Sequence, residues 1–407
     1  MNHNISILKK IFFFILILFG FGVYANAQNA STTNTLNRVD NKLNKFNADT
    51  SSLQVSVLTC AAGEDIYTAW GHSAIRVVDS IRHTDYVFNY GTFDFNEPYF
   101  LTKFIKGNLN YFISVNQYAD FIELYKYEGR SIQEQVLKLT AAEKTSWYTA
   151  LQINTIGDNR FYLYNFITDN CTTRVKDGLY TNAVIQPVHI PVSSFRNEVI
   201  KAPYAQGIPW IGFGIDLLLG AYADQAPDNF KSGFLPPLLF NQLSATKKLV
   251  VKTNIYSFSN NEKTASSGPS PFSVLIAILI FYAFTSKCNS LFTQKIAKLL
   301  DILFLILFGI GGSLVFYMSI LSLHTACYQN FNLMWLHPAY LIALVFYFIP
   351  KKWIGQIGML FFSAQLGLLI TCYWIPQHFS KEVFAVMGIA LLLNYRLIVK
   401  GHYAGIK

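Results

Sequence analysis

Between Leu53 and Tyr222 the apolar positions recur mostly with short periods, and each change of period marks a new element. Leu53-Gln54-Val55-Ser56-Val57-Leu58 alternates with period two and predicts a strand that ends near Cys60. Asp65 to Ala69 reads as one helical turn leading into two further strands, 72–78 and 86–90, paired as a hairpin across the polar turn 79–85. The run Phe100-Leu101-Thr102-Lys103-Phe104-Ile105-Lys106 predicts a helix stopped by Gly107. Residues 118–127 predict a short helix, Ser131 to Leu139 a strand, and Ala141 to Asn154 a helix with Trp147 and Leu151 on one side. An aromatic, strand-like run from Phe161 to Phe166 precedes a helix from Cys171 to about Leu179. The stretch Ile208 to Tyr222 is apolar but carries Asp216 and is too short to span a bilayer, so it reads as a core helix or one lying against a membrane surface.

After a small-residue linker, 264–270, the pattern becomes nearly continuous. Five apolar segments follow, about 271–286, 299–321, 333–349, 354–375 and 383–399. Each is near the roughly 17 to 25 residues that a spanning helix needs. If residues N-terminal to them are exported, the inner loops hold Lys287, Lys295 and Lys298, then Lys351 and Lys352, and the C-terminal end holds Arg396, Lys400 and Lys407. The outer loops hold no Lys or Arg in 322–332 and only Lys381, beside Glu382, in 376–382. That distribution satisfies the positive-inside rule at every loop and leaves the C-terminus in the cytoplasm.

The N-terminus has the secretory pattern: Lys9-Lys10, an apolar run from Ile11 to Val23, and Ala25-Asn26-Ala27 before Gln28. The expected organisation is a signal peptide 1–27, a flexible lead-in 28–52, an exported domain 53–263, the linker, five transmembrane helices within 271–400 and a tail 401–407. This is an α+β domain followed by an all-α membrane bundle, at home in an inner membrane. Composition agrees: 52% hydrophobic residues and a mean hydropathy of +0.30 are too apolar for an ordinary soluble enzyme. The net charge of +9 does not indicate a nucleic-acid partner. Residues 28–268 hold 21 basic and 21 acidic side chains, and the remainder holds 11 against 2, which is the whole excess. Five scattered cysteines do not form a disulfide framework, although a Cys327–Cys372 bridge is left open, and no Cys/His cluster has metal-ligand spacing. No metal or other cofactor is expected.

The chemistry-bearing stretch is Asp169-Asn170-Cys171-Thr172-Thr173-Arg174. With Asp169 or Asn170 as N-cap, Cys171 falls in the first turn of its helix, where unpaired amides and the helix dipole favour a thiolate. Its candidate base is His72, in Gly71-His72-Ser73-Ala74-Ile75-Arg76. Period two puts His72, Ala74 and Arg76 on one strand face, from which His72 could meet the helix. A lone cysteine is more often structural, and so is a histidine at a strand start; the pair says more than either. Asn89, on the neighbouring strand, is the candidate to orient the imidazole. Arg76 and Arg174 are candidates for a phosphate group, set against the alternative of structural ion pairs. His324 and His337, with Asn330, Asn332 and Trp335, could line a polar cavity at the outer membrane boundary, where interfacial anchoring competes as an explanation.

Gly63-Glu64, Gly71-His72-Ser73-Ala74-Ile75-Arg76-Val77, Asn89-Tyr90-Gly91, the segment from Glu134 to Thr140 and Asn170-Cys171-Thr172-Thr173-Arg174, in this order, resemble the Lnb family of membrane proteins. The resemblance implies a lipoprotein N-acyltransferase that acts on a phospholipid acyl donor and a lipoprotein acceptor. His before Cys, with Asn-Cys opening a helix, is also similar to circularly permuted papain-like enzymes such as lecithin:retinol acyltransferase. By that similarity the exported domain is a permuted papain-like fold, Cys171 is the nucleophile and His72 the base. A second histidine would be expected as the third member, whereas this chain has Asn89 on the next strand and His83 in the turn. Two other classes fit parts of the pattern: an exported peptidase or amidase acting on peptidoglycan, which would not need the helices, and a non-enzymatic envelope assembly factor, which would not need the Cys–His pair.

Overall fold

The computed structural model describes residues 52–183, 185–258, 268–288, 290–348 and 353–404. The signal, the lead-in, Lys351, Lys352 and most of the 264–270 linker lie outside the described residues. Two compact units are present. One contains 52–207 and 225–258, and the other contains 208–224 and 268–404.

The first unit is built on a seven-stranded antiparallel sheet. In chain order its elements begin with β1 (Leu53–Cys60), β2 (His72–Asp79), β3 (Thr84–Thr92), α1 (Phe100–Lys106), β4 (Asn110–Gln117) and α2 (Tyr118–Tyr127). They continue with β5 (Ile132–Leu137), α3 (Ala141–Asn154), β6 (Phe161–Leu163), α4 (Cys171–Asn182) and α5 (Phe195–Ala205). Helix α6 (Pro209–Leu218) belongs to the second unit, after which α7 (Pro236–Ala245) and β7 (Val250–Tyr256) complete the first. The strand order is β6-β4-β3-β2-β1-β5-β7.

Both faces of the sheet centre are covered, and period two sorts the side chains between them. Leu53, Val55 and Val57 of β1 share a core with Trp147 and Leu151 of α3 and with Val175 and Leu179 of α4. Leu58 and Cys60 point the other way, toward Phe121 and Tyr125 of α2. Local signals set the ends of several elements. Thr140 and Glu143 form a reciprocal capping box at the start of α3. Gly107 closes α1 at φ +79°, a conformation that costs glycine little. Helix α4 runs three residues beyond the expected Leu179.

The second unit contains α8 (Pro271–Lys287), α9 (Leu291–Phe316, prolonged by a wide turn to Leu321), α10 (Tyr340–Phe348), α11 (Trp353–Thr371) and α12 (Lys381–Ala404). Among the described residues, three stretches are long and apolar enough to cross a membrane: Leu291–Leu321, Trp353–Thr371 and Lys381–His402. The segment expected as one helix over 333–349 is instead divided. A short turn at Phe331–Met334, capped by the Asn330 side chain, precedes Pro338, and α10 starts only at Tyr340. Proline lacks the N–H that an interior helical position needs, so a helix is readily begun after it and not carried through it. Helix α6 is pinned into this unit through its C-terminal carbonyls. Asn330 Nδ2 donates to Leu217 O and Leu218 O at 2.9 and 3.1 Å, and Asn332 Nδ2 donates to Leu217 O at 3.1 Å. Cys327 and Cys372 are free thiols, so the bridge left open by the sequence is not formed.

Candidate active site

The turn that presents Cys171 is assembled by two asparagines. Asn165 Oδ1 accepts from the amides of Ile167 and Thr168, both at 3.1 Å, and its backbone pairs with Asp169. Asn170 is the N-cap: its Oδ1 accepts from Thr172 N–H at 2.8 Å and Thr173 N–H at 2.9 Å, while its Nδ2 donates to Phe166 O and Phe234 O. Asp169 is unavailable for capping because it holds Arg174 in a two-pronged ion pair at 2.5 and 2.7 Å. Cys171 therefore opens α4 on a base anchored from both sides. It is only partly buried.

His72 is delivered by β2, whose entry requires the glycine before it. Gly71 has φ +80°, and a Cβ there would lie 2.5 Å from Cys60 O. The helix packs on the face of β2 opposite to the one expected for His72: Ile75 and Val77 share the core of Val175 and Leu179. The two side chains meet all the same, because Cys171 is the first residue of α4 and its sulfur lies at the end of the strand, hydrogen-bonded by the Ser73 amide. Gly91 leaves room on the adjacent strand. It sits at a register shift in β3 with φ +88°, and a Cβ there would be 3.4 Å from Cys171 Cβ.

The imidazole bridges the sulfur and an amide. His72 Nε2 is 3.3 Å from Asn89 Oδ1, and Asn89 Nδ2 is in turn fixed by Asn116 Oδ1 at 2.9 Å. With the amide oxygen as acceptor, Nε2 carries the proton of neutral His72, which leaves the other ring nitrogen as the one able to take a proton. Burial raises the Cys171 thiol, but the His72 charge, its hydrogen bond and the bonds from Ser73 N–H and Thr172 outweigh this and bring it below the ordinary value. Burial likewise opposes charge on His72, and the Cys171 charge, its hydrogen bond and that of Asn89 raise it overall. Both shifts move the pair toward its thiolate–imidazolium form, and the protons belong to the two groups jointly. The second thiol nearby behaves oppositely: burial pushes Cys60 up to about 12.

The other sequence-derived candidates are placed differently. Arg76 donates to Asp85 at 2.9 and 2.6 Å and to buried Glu134 at 3.0 Å, and its guanidinium lies 3.3 Å from the centre of the Tyr118 ring. Arg174 holds Asp169 and covers the Tyr162 ring at 4.1 Å. Both guanidiniums thus have carboxylate partners. His83 lies in the β2–β3 turn with φ 52°. His324 and His337 belong to the second unit; His337 Nδ1 accepts from Ala339 N–H at 3.1 Å. Sequence reasoning missed Ser73 N–H, Thr172, Gly91 and Asn116. Only Gly91, in Asn-Tyr-Gly after a strand, carried a local signal, because the others act through register and across strands.

Two family models match the chain, the Lnb N-terminal periplasmic domain over residues 40–198 and the Lnb transmembrane domain over residues 261–403. Comparison with curated proteins and with solved structures gives no match. The first model spans His72, Asn89 and Cys171, and the second spans α8 to α12, so that in sequence order a periplasmic and a transmembrane part account for most of its length, and the chain belongs to the Lnb family.

Proposed function

We propose that this protein is a membrane-bound cysteine acyltransferase that moves a fatty acyl chain from a phospholipid to the α-amine of the lipid-modified N-terminal cysteine of lipoproteins. The observation that carries the reading is a partly exposed thiol at a helix start, lowered by an imidazole that an amide orients. Cys171 Sγ attacks the ester carbonyl of the phospholipid. The ester C–O bond breaks, and the lysophospholipid alcohol leaves with the proton held by His72. In the second half, His72 takes a proton from the acceptor amine as its nitrogen attacks the thioester; the C–S bond breaks and the thiolate–imidazolium pair is restored. The amides of Thr172 and Thr173 are engaged by Asn170, so an oxyanion donor from this turn comes from Cys171 N–H itself. Arg76 and Arg174 act as structural pairs in this scheme, and His324 and His337 have no part in the proton transfers. Membership of a family with a periplasmic and a transmembrane domain fits substrates that are themselves lipid-anchored. The chain would sit in the inner membrane with its first unit in the periplasm and its C-terminus in the cytoplasm.

The test is mass spectrometry of lipoprotein N-termini from cells carrying the wild-type chain or Cys171→Ser as their only source of this protein. N-linked acyl present with the wild type and absent with the variant is the expected result. Unchanged acylation in the variant overturns the proposal.

A further inference from the structure

Helix α1, Phe100–Lys106, contains Phe100, Leu101, Phe104 and Ile105; Phe104 is exposed and the other three are only half-buried, Phe100 resting against the domain core. Elements of soluble domains ordinarily hide such a face, and a contiguous exposed apolar patch marks an interaction site. The residues before it extend the patch. Tyr99 is 81% exposed and is held at φ 60°, a conformation that bulky side chains seldom adopt, while Phe104 is 46%, Phe95 52% and Tyr67 57% exposed. The rings of Tyr67, Phe93, Phe95, Phe100 and Phe104 form one connected group, and Tyr99 directly precedes Phe100 in the chain. Phe95 contacts Phe93 and Phe100 at 4.8 and 5.3 Å, Phe100 stacks over Phe104 at 6.4 Å, and Tyr67 meets Phe93 at 5.9 Å.

The group also continues inward. Phe93 lies 5.2 Å from Tyr111, which stacks on Tyr164 at 4.4 Å. Tyr164 and Cys171 both pack against the core that contains Tyr111, so the rings lead from the surface toward the surroundings of the sulfur. We infer that the Tyr99–Lys106 segment, with Phe95 and Tyr67, is a bilayer-surface element that seats in the headgroup region of a phospholipid membrane and leads lipid toward Cys171. A bilayer is the occupant that fits: among the described residues the same chain carries three helices able to cross one, and aromatic rings together with last-turn lysines, here Lys106 and the Glu97-paired Lys103, are the side chains that settle at such an interface. The inference deepens the acyl-transfer reading but is tested separately from it.

The full chain, with photoreactive benzoylphenylalanine in place of Tyr99 or Phe104, is reconstituted in phosphatidylethanolamine–phosphatidylglycerol vesicles and irradiated. The control position is Ile255, whose exposure of 64% lies between those of Tyr99 and Phe104 but which is on β7 at the far edge of the sheet. Phospholipid adducts at 99 and 104 and none at 255 are expected. No lipid adduct at 99 and 104, equal adducts at 255, or a cross-link to a second copy in their place overturns the inference. Cys171→Ser in the same vesicles separates the two claims. It is expected to keep the adducts and lose acyl transfer. Missing adducts with Cys171-dependent transfer would sink only the docking surface, and adducts with transfer that ignores Cys171 would sink only the catalytic reading.

Discussion

A thiol with an ordinary pKa is mostly protonated at neutral pH and reacts slowly. Cys171 is held below that value and His72 above its own, and the signs of the two shifts dictate a pH profile. The thiolate extends to lower pH than in a free thiol, giving the acid limb, and His72 keeps its proton to higher pH than a free imidazole, giving the alkaline limb. Peptide-resolved alkylation by iodoacetamide should therefore modify Cys171 rapidly at neutral pH and Cys60, at about 12, hardly at all. In His72→Ala the dependence should move toward that of a free thiol. Asn89→Ala should keep the thiol reactive but pull the alkaline limb of acyl transfer to lower pH and reduce the rate by about 10²-fold, within the range attributed to a positioned acid or base. An unchanged alkaline limb in Asn89→Ala would show that the 3.3 Å contact does not govern the imidazole. At this scale the sequence supplied the three residue types and a strand–helix context. It misassigned the face of β2 that α4 covers, because which side of a sheet a helix packs on depends on the whole core and not on local period.

Elements ended where their own residues told them to: Gly107 closes α1, and Thr140 with Glu143 opens α3. The cap of α4 was ambiguous in sequence between Asp169 and Asn170, and the Arg174 ion pair resolves it by drawing Asp169 away. Asn170→Ala should cost about 2 kcal/mol, the upper end for a lost cap, since the anchors to Phe166 O and Phe234 O go with it. A chemical denaturation midpoint checks the loss of stability, and Cys171 alkylation should slow in parallel as the turn loosens. Arg76 belongs to the same scale. Glu134, fully buried, accepts from Arg76, Asn254 and Tyr256, each at 3.0 Å, and ties β2, β5 and β7 together. Arg76→Met should destabilise the unit by about 3–5 kcal/mol by leaving that carboxylate without its cation. Arg76→Met with Glu134→Gln should recover much of the loss. A folded single variant of wild-type stability would contradict the structural role given to Arg76.

At the scale of the molecule, the second unit has its own buried charge. Asp301 of α9 accepts from Arg396 of α12 at 2.6 and 2.8 Å, from Tyr282 of α8 at 2.6 Å and from Tyr347 of α10 at 2.8 Å, so one carboxylate joins four helices. Arg396→Leu should lower the melting temperature of the reconstituted chain markedly, and Asp301→Asn added to it should restore most of the loss, because the cost lies in the uncompensated charge. Asp301 was not singled out from sequence, and Arg396 only as a charge on the inner side, since 95 residues separate them and nothing local couples them. By itself, the sequence determined the α+β character of the first part, the apolar character of the second, most element boundaries and the place of Cys171 at a helix start. All of these follow from periods, caps and breakers that act within a few residues. Tertiary structure alone decided that a strand-end histidine meets that sulfur, that Asn89 and not His83 holds the imidazole, that both arginines are spent on carboxylates, and that Tyr99 and Phe104 stay exposed. Each depends on strand register and on which surfaces remain after the core is filled, and those are properties of contacts between residues far apart in the chain.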